Sequence, residues 1–397
     1  MRATTSVFLL PLQRQFGWSK PGISVATSIN ILLFGLMGPF AAALMQRYGL
    51  RRVVVSALVT MATAALVGTQ IQQLWQLWLL WGVMVGLGSG CMATVLAATV
   101  ANRWFVERRG LVTGVLSAAT ATGQLIFLPV LEYLADHVGF RWLGVVVGIS
   151  ALAVIPIVLG FIRNWPGDIG ILPFGAPADY SVSTTGGNPV KVAFAGLRMA
   201  SRVPSFWLLF GSFLVCGLST NGLIQTHFIS AAHDHAIPSG TAAGYLAAIG
   251  VFDVIGTLGS GWLTDRVDPR KLLLAYYGLR GVSLILLDQA LSSGRIGLLG
   301  FFVFYGLDWV ATVPPTVALC REMFGIENAG VIYGWVYVGH QIGGALMAWL
   351  AGAIHDWTGG YRLAFHIVGI VCVATAIAVM SIKRDHVDTY QVSLASA

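Results

Sequence analysis

The chain has 397 residues, of which 56% are apolar and only 10% charged, with a formal net charge of +7. Ordinary soluble domains carry about 25% charged residues, and a soluble chain this apolar would expose more hydrophobic surface than water tolerates. The positive charge does not point to nucleic acid, because the basic residues cluster in short turns between apolar runs.

An apolar fragment comes first, residues 1–12, which reads as half of a spanning helix and lacks the length and cleavage pattern of a signal peptide. Eleven apolar runs follow, at 22–46, 53–70, 74–102, 110–134, 140–163, 204–231, 240–264, 271–290, 295–322, 328–355 and 361–383. Runs of roughly 18 or more such residues predict spanning helices. The abundant glycine suits close helix contacts in lipid. Between 164 and 203 lies the one long polar connection, with Pro166, Pro173, Pro177 and the Ser181–Gly187 run, ordered in part over 190–202. The expected domains are a six-helix bundle over 1–163 with an incomplete first helix, a linker at 164–203, a second bundle over 204–383, and a tail at 384–397. Cys91, Cys216, Cys320 and Cys372 all lie in apolar runs without metal-like spacing and read as small packing residues.

Orientation follows from Lys and Arg in the loops. Sixteen fall on the side of the 46–52, 103–109, 163–202, 265–271 and 321 segments and the tail, and five opposite. The linker and C-terminus are therefore expected in the cytoplasm.

The turn holding Gln46, Arg47, Gly49, Arg51 and Arg52 recurs 219 residues later, with Gly261 leading into Asp265, Arg266, Asp268, Arg270 and Lys271. A second set, Arg109, Gly110, Gly114 and Gly123, recurs at 220 residues as Ala329, Gly330, Gly334 and Gly343. A constant offset near half the chain length means two homologous halves in parallel, an architecture of secondary transporters with the substrate site at the repeat interface.

The Asp265, Arg266, Arg270, Lys271 turn, with Gly261 four residues before the acid, resembles the cytoplasmic loop signature of the major facilitator superfamily. Three further features are similar to its monocarboxylate and oxalate-type anion transporters. These are Arg103-Trp104-Phe105 followed by Arg108-Arg109-Gly110, then Pro129 followed by Gly139-Phe140-Arg141-Trp142, and the opening with Arg2. The resemblance implies an all-α membrane fold of twelve helices in two six-helix bundles, working by alternating access. The resemblance and the short loops together suggest a bacterial inner (plasma) membrane. Three departures stand out: Gln46 replaces the acid of the first turn, the first helix is incomplete, and Asp253 is followed one turn later by Thr257 rather than Arg.

Asp265 can cap a neighbouring helix N-terminus and pair with arginines, so the two turns are expected to form a cytoplasmic gate. A solvated turn serving only the positive-inside rule is the plainer reading. Ionisable residues at membrane depth mark function, since an uncompensated charge there costs several kcal/mol. Arg2, Asp253, Arg280 and Asp308 lie at that depth, with Glu132 and Asp288 nearer the outer face. Arg2 is suited to pair with a substrate carboxylate, or else simply flanks the membrane. Asp253 and Asp308 compete as proton carriers, and Arg280 with Asp308 forms a candidate buried ion pair. Polar residues expected along the cleft are Gln124, Asn221, Gln225, and the stripe Tyr333, Tyr337, His340 and Gln341. Ordinary interhelical hydrogen bonding is the alternative. His233, Asp234 and His235 read as a polar turn rather than a metal site.

The leading expectation is a monomeric secondary transporter of a small organic anion, a carboxylate, coupled to protons and using no cofactor or metal. One alternative is a proton antiporter exporting amphipathic drug-like compounds. A membrane ligand sensor would need an output domain, for which the linker and tail leave no room. An enzyme is disfavoured, with no nucleophile–base set and no phosphate-binding Gly-x-x-x-x-Gly-Lys-Ser/Thr loop.

Overall fold

The computed structural model describes residues 12, 16–18, 20–92, 94–119, 123, 139–177, 188–293 and 295–384. These are almost entirely helical, and eight segments among them are long and apolar enough to cross a membrane. Helices α1 (Lys20–Tyr48), α2 (Leu50–Val67) and α3 (Leu74–Trp104) come first. Then come α4 (109–119), α5 (Phe140–Phe161) and the linker helix α6 (Pro189–Ala200). The second half holds α7 (Pro204–Asp234), α8 (Ser239–Thr264), α9 (Pro269–Ser292), α10 (Arg295–Asp308), α11 (Val313–Thr358) and α12 (Arg362–Ala378).

At 1.5 Å per residue, the 46 residues of α11 would run about 70 Å, more than twice a hydrocarbon core. Gly325, with φ 76° and ψ 161°, breaks it between the expected spans 295–322 and 328–355. Pro314 and Pro315 fall within the apolar run 295–322, whose length predicts one continuous helix. They instead occupy the first turn of α11, where a missing N–H leaves no hydrogen bond unmade. The interruption falls just before them, at 309–312.

The chain divides into two compact units, 1–104 with 123–195 and 393–397, and 105–122 with 196–392. In the first, Gly82, Gly86 and Gly90 face α1 so closely that a Cβ at Gly86 would lie 3.1 Å from the Asn30 backbone. Asn30 Nδ2 donates to the Trp81 carbonyl at 2.8 Å across that contact. In the second, Gly217, Gly222, Gly339 and Gly343 let α7 and α11 approach to backbone contact.

Candidate functional site

The second-half turn begins where α8 ends. Asp265 Oδ1 accepts the Gly110 N–H at 2.7 Å and Oδ2 accepts the Leu111 N–H at 2.9 Å. Both are first-turn donors of α4, which have no partner inside their own helix. Gly110 and Gly114 make this possible, since a Cβ at either would strike the Gly261 backbone. Three residues on, the Asp268 carboxylate accepts the Arg270 N–H at 2.9 Å and caps α9. It also pairs with the Arg270 guanidinium at 2.7 Å and with Arg384 at 3.5 Å. The hydrogen bond from Arg270 holds its carboxyl down to about 2. Arg384 reaches Glu322 at 2.7 Å, and Arg270 donates to the Ile382 carbonyl at 3.1 Å. Arg266 stacks on Trp262 at 4.1 Å, and Lys271 is exposed.

In the first half Arg47 and Arg52 are exposed and Gln46 and Arg51 half-buried. Gly49 takes the place of Asp268 in the repeat and has a φ of 86°. The oxygen capping α2 comes instead from the linker: Asn164 Oδ1 accepts the Arg51 N–H at 3.0 Å. Arg103, 6% exposed, donates to the Met45 carbonyl at 2.9 Å and lies 4.3 Å over the Trp165 ring.

A buried polar cluster occupies the second unit, around the interruption between α10 and α11. Arg280, 1% exposed, meets the Asp308 carboxylate, 3% exposed, at 2.5 Å. It also donates to the carbonyls of Asp308 at 2.6 Å and Trp309 at 3.4 Å, and to Cys216 Sγ and Ser219 Oγ at 3.0 and 3.2 Å. Asp253 Oδ1 accepts from the Val310 N–H at 3.0 Å and the Thr257 hydroxyl at 2.9 Å, and Ser260 donates to the Ala311 carbonyl at 2.5 Å. Unwound backbone at membrane depth needs partners, and α8 and α9 supply them.

Helix α7 carries its own irregularity, the π-helical stretch Leu218–Ile224. Carbonyls released by the wider turn find other donors: Tyr305 reaches Ser219 O at 2.8 Å and Thr226 reaches Asn221 O at 2.7 Å. The stretch sets Asn221 Nδ2 3.2 Å from His340 Nε2, and Tyr337 stacks on His340 at 5.6 Å. The four-residue stripe on α11 is more enclosed than a cleft lining. Tyr333 is 0% exposed and Tyr337 and Gln341 are each 6% exposed, while His340 is half-buried. The cause is the glycine-mediated approach of α7, which presses Phe213 against both tyrosines. Gln225 is exposed. Arg2 and Gln124 lie outside the described residues. The 233–235 turn is held by pairs between Asp234 and His355 at 3.2 Å and His235 and Asp288 at 3.5 Å.

Sequence reasoning placed Asp268 in the turn without its capping role, and missed Glu322, Arg384, Asn164 and Arg103 as partners of the turns. The 219-residue offset could have found them, because it superposes 103 on 322 and 165 on 384, and both pairs are in contact.

The family model described as Major Facilitator Superfamily matches residues 1–252 and 220–395. YcxA, an MFS-type transporter of Bacillus subtilis (strain 168), is 26% identical over 91% of the chain and 86% of its own length. Monocarboxylate transporter 13 of Bos taurus is 26% identical over 93% and 82%. The oxalate:formate antiporter of Oxalobacter formigenes is 24% identical over 76% and 68%. Among solved structures, the E. coli fucose:proton symporter matches with a TM-score of 0.68 at 18% identity, covering 96% of each chain. With a family model spanning both halves and a solved transporter sharing the fold, the chain belongs to the major facilitator superfamily and is a multi-pass membrane transporter.

Proposed function

We propose that the protein is a secondary active transporter of a small organic anion, a carboxylate, driven by protons through alternating access of its two halves. The observation that carries this reading is the pair of buried acids, Asp253 and Asp308, set beside a buried arginine at membrane depth. Such groups persist in lipid where they bind or carry charge. Similarity to a monocarboxylate transporter and an oxalate:formate antiporter supports the substrate class. In this reading Arg2 pairs with the carboxylate, and Asn221, Gln225, Gln124, Tyr337, His340 and Gln341 take part in enclosing it. Asp253 or Asp308 carries the proton, and the Gln46–Arg52 and Asp265–Lys271 turns gate the cytoplasmic side. The two bundles run over 1–163 and 204–383, joined by a cytoplasmic linker, in a monomer placed in the plasma (inner) membrane.

The test is uptake of radiolabelled oxalate, formate, acetate and lactate by proteoliposomes holding the full chain, with and without an inward proton gradient. The expected result is gradient-driven accumulation of at least one of them, abolished by Arg2→Gln. A folded protein that moves none of the four overturns the anion reading. Similarity to a fujikurins efflux protein of Gibberella fujikuroi, 23% identical over 91% of the chain, then favours export of amphipathic compounds.

A further inference from the structure

Arg280 stands between two departures from regular helix, the π-turn Leu218–Ile224 of α7 and the 309–312 interruption after α10. Its guanidinium is shared among the Asp308 carboxylate, two main-chain carbonyls of the interruption, and Cys216 and Ser219 of α7. The Asp308 carboxylate is bound unevenly. Its Oδ2 takes Arg280, whereas Oδ1 is buried and has no hydrogen-bond partner among the described residues. A pair serving only to join α9 and α10 would be expected to satisfy both oxygens, since a buried acceptor left unmade is costly. An orphaned oxygen on an otherwise enclosed carboxyl is where a proton fits. Asp253 differs, because its Oδ1 is committed to two donors that fix the start of the interruption.

We propose that Asp308 is the carboxyl that exchanges the transported proton, and that Arg280 is the positioning residue through which its charge state reaches α7. This rests on the proton-coupled reading above and selects between its two acids. With Asp308 ionised, the guanidinium is drawn toward α10. A proton taken from water onto Oδ1 removes that attraction and leaves the guanidinium a buried cation held by the carbonyls of Asp308 and Trp309 and the side chains of Cys216 and Ser219. The balance of its bonds then shifts to α7, within two residues of Asn221. Substrate and proton are thereby linked through one side chain. The titratable groups surrounding Asp308 are Cys216 from α7, Asp253 from α8, Tyr276, Tyr277 and Arg280 from α9, Tyr305 from α10 and Cys372 from α12.

Two measurements on the full chain in liposomes decide it. The first is infrared difference spectroscopy across a pH titration, which reads the stretch of a protonated carboxyl and needs no substrate. The buried carboxyl band is expected to vanish in Asp308→Asn and persist in Asp253→Asn; persistence in Asp308→Asn overturns the proposal. The second uses the charge-free Arg280→Gln/Asp308→Asn double variant, which leaves no unpaired charge and so keeps a fold that either single change could lose. It is expected to exchange labelled carboxylate across the membrane, yet bring it only to an inside-to-outside ratio of about one under a proton gradient, the uncoupled equilibrium. Gradient-driven accumulation at the native level would make the pair structural and overturn the proposal. If native protein moves no carboxylate at all, the anion reading fails while the infrared titration still decides Asp308.

Discussion

Asn164 caps α2 from outside the turn, accepting the Arg51 N–H at 3.0 Å, where in the other half Asp268 caps α9 from within it by accepting from Arg270 at 2.9 Å. Positions 49 and 268 correspond, as do 51 and 270, so one repeat has moved its capping oxygen from the loop to the linker. Gly49 is the other half of that exchange. A Cβ there would fall on the Asn164 carboxamide, in space that a loop side chain would otherwise claim.

Removing the linker's oxygen should cost about 1 kcal/mol, the usual worth of an N-cap. Asn164→Ala is therefore expected to lower the melting temperature of the purified protein modestly. Gly49→Ala should lower it further, because it adds a Cβ at a φ of 86° as well as displacing the cap. Melts in which Asn164→Ala is the more damaging change would count against this account.

The pairs Arg103–Trp165 and Glu322–Arg384 occupy equivalent positions with different chemistry. Arg103 is 6% exposed, and truncating it to Ala leaves the Met45 carbonyl with only the Gly49 N–H and strips the cation from Trp165. About 2 to 3 kcal/mol should be lost. Arg384 is 40% exposed at the side chain, so Glu322→Ala should cost only about 0 to 1 kcal/mol. Thermal melts of the two variants side by side give the comparison, and equal losses would refute it.

Asp268 sets a pH window. Its folded carboxyl titrates at about 2 because Arg270 donates to it, below the ordinary value of about 3.9. The stability it contributes is complete above pH about 4 and fades as pH falls through 2, where the unfolded chain binds the proton first. Asp268→Asn should therefore melt below the native protein by a constant interval above that window. The interval should narrow between pH 4 and 2, and one that widened in acid would reverse the sign of the argument.

How far the sequence carried varied with the physics involved. Apolar run length placed most of the described spanning helices, because lipid imposes a length that composition alone can meet. The loop signature led to Asp265, since a turn whose basic residues recur at fixed spacing is visible without knowledge of contacts. Illegible were features decided by the approach of distant segments. The enclosure of Tyr333 depends on glycines of α7 and α11 meeting, and the break ahead of Pro314 depends on Asp253, Ser260 and Arg280 arriving to satisfy it. A 3.6-residue stripe shows which side chains share a face, not whether that face meets water or another helix.

The seating of α4 against the end of α8 offers the most direct test of the turn's geometry. Asp265 binds two N–H groups with its two oxygens, and Gly110, Gly114 and Gly261 supply the closeness that lets it do so. Asp265→Asn keeps a single acceptor and should lose one of the two bonds together with the favourable charge at a helix N-terminus, about 1 kcal/mol in all. Gly114→Ala acts by a different route. Its Cβ would meet the Gly261 backbone at 3.0 Å and the Thr257 carbonyl, both main-chain atoms that cannot rotate away. Overpacking of this kind costs about 1 to 3 kcal/mol and displaces the helix as a unit. Gly114→Ala should thus expose the Gly110–Leu111 amides to hydrogen exchange more than Asp265→Asn does. Unchanged exchange in both variants would show that the cap and the glycine contact do not hold this segment.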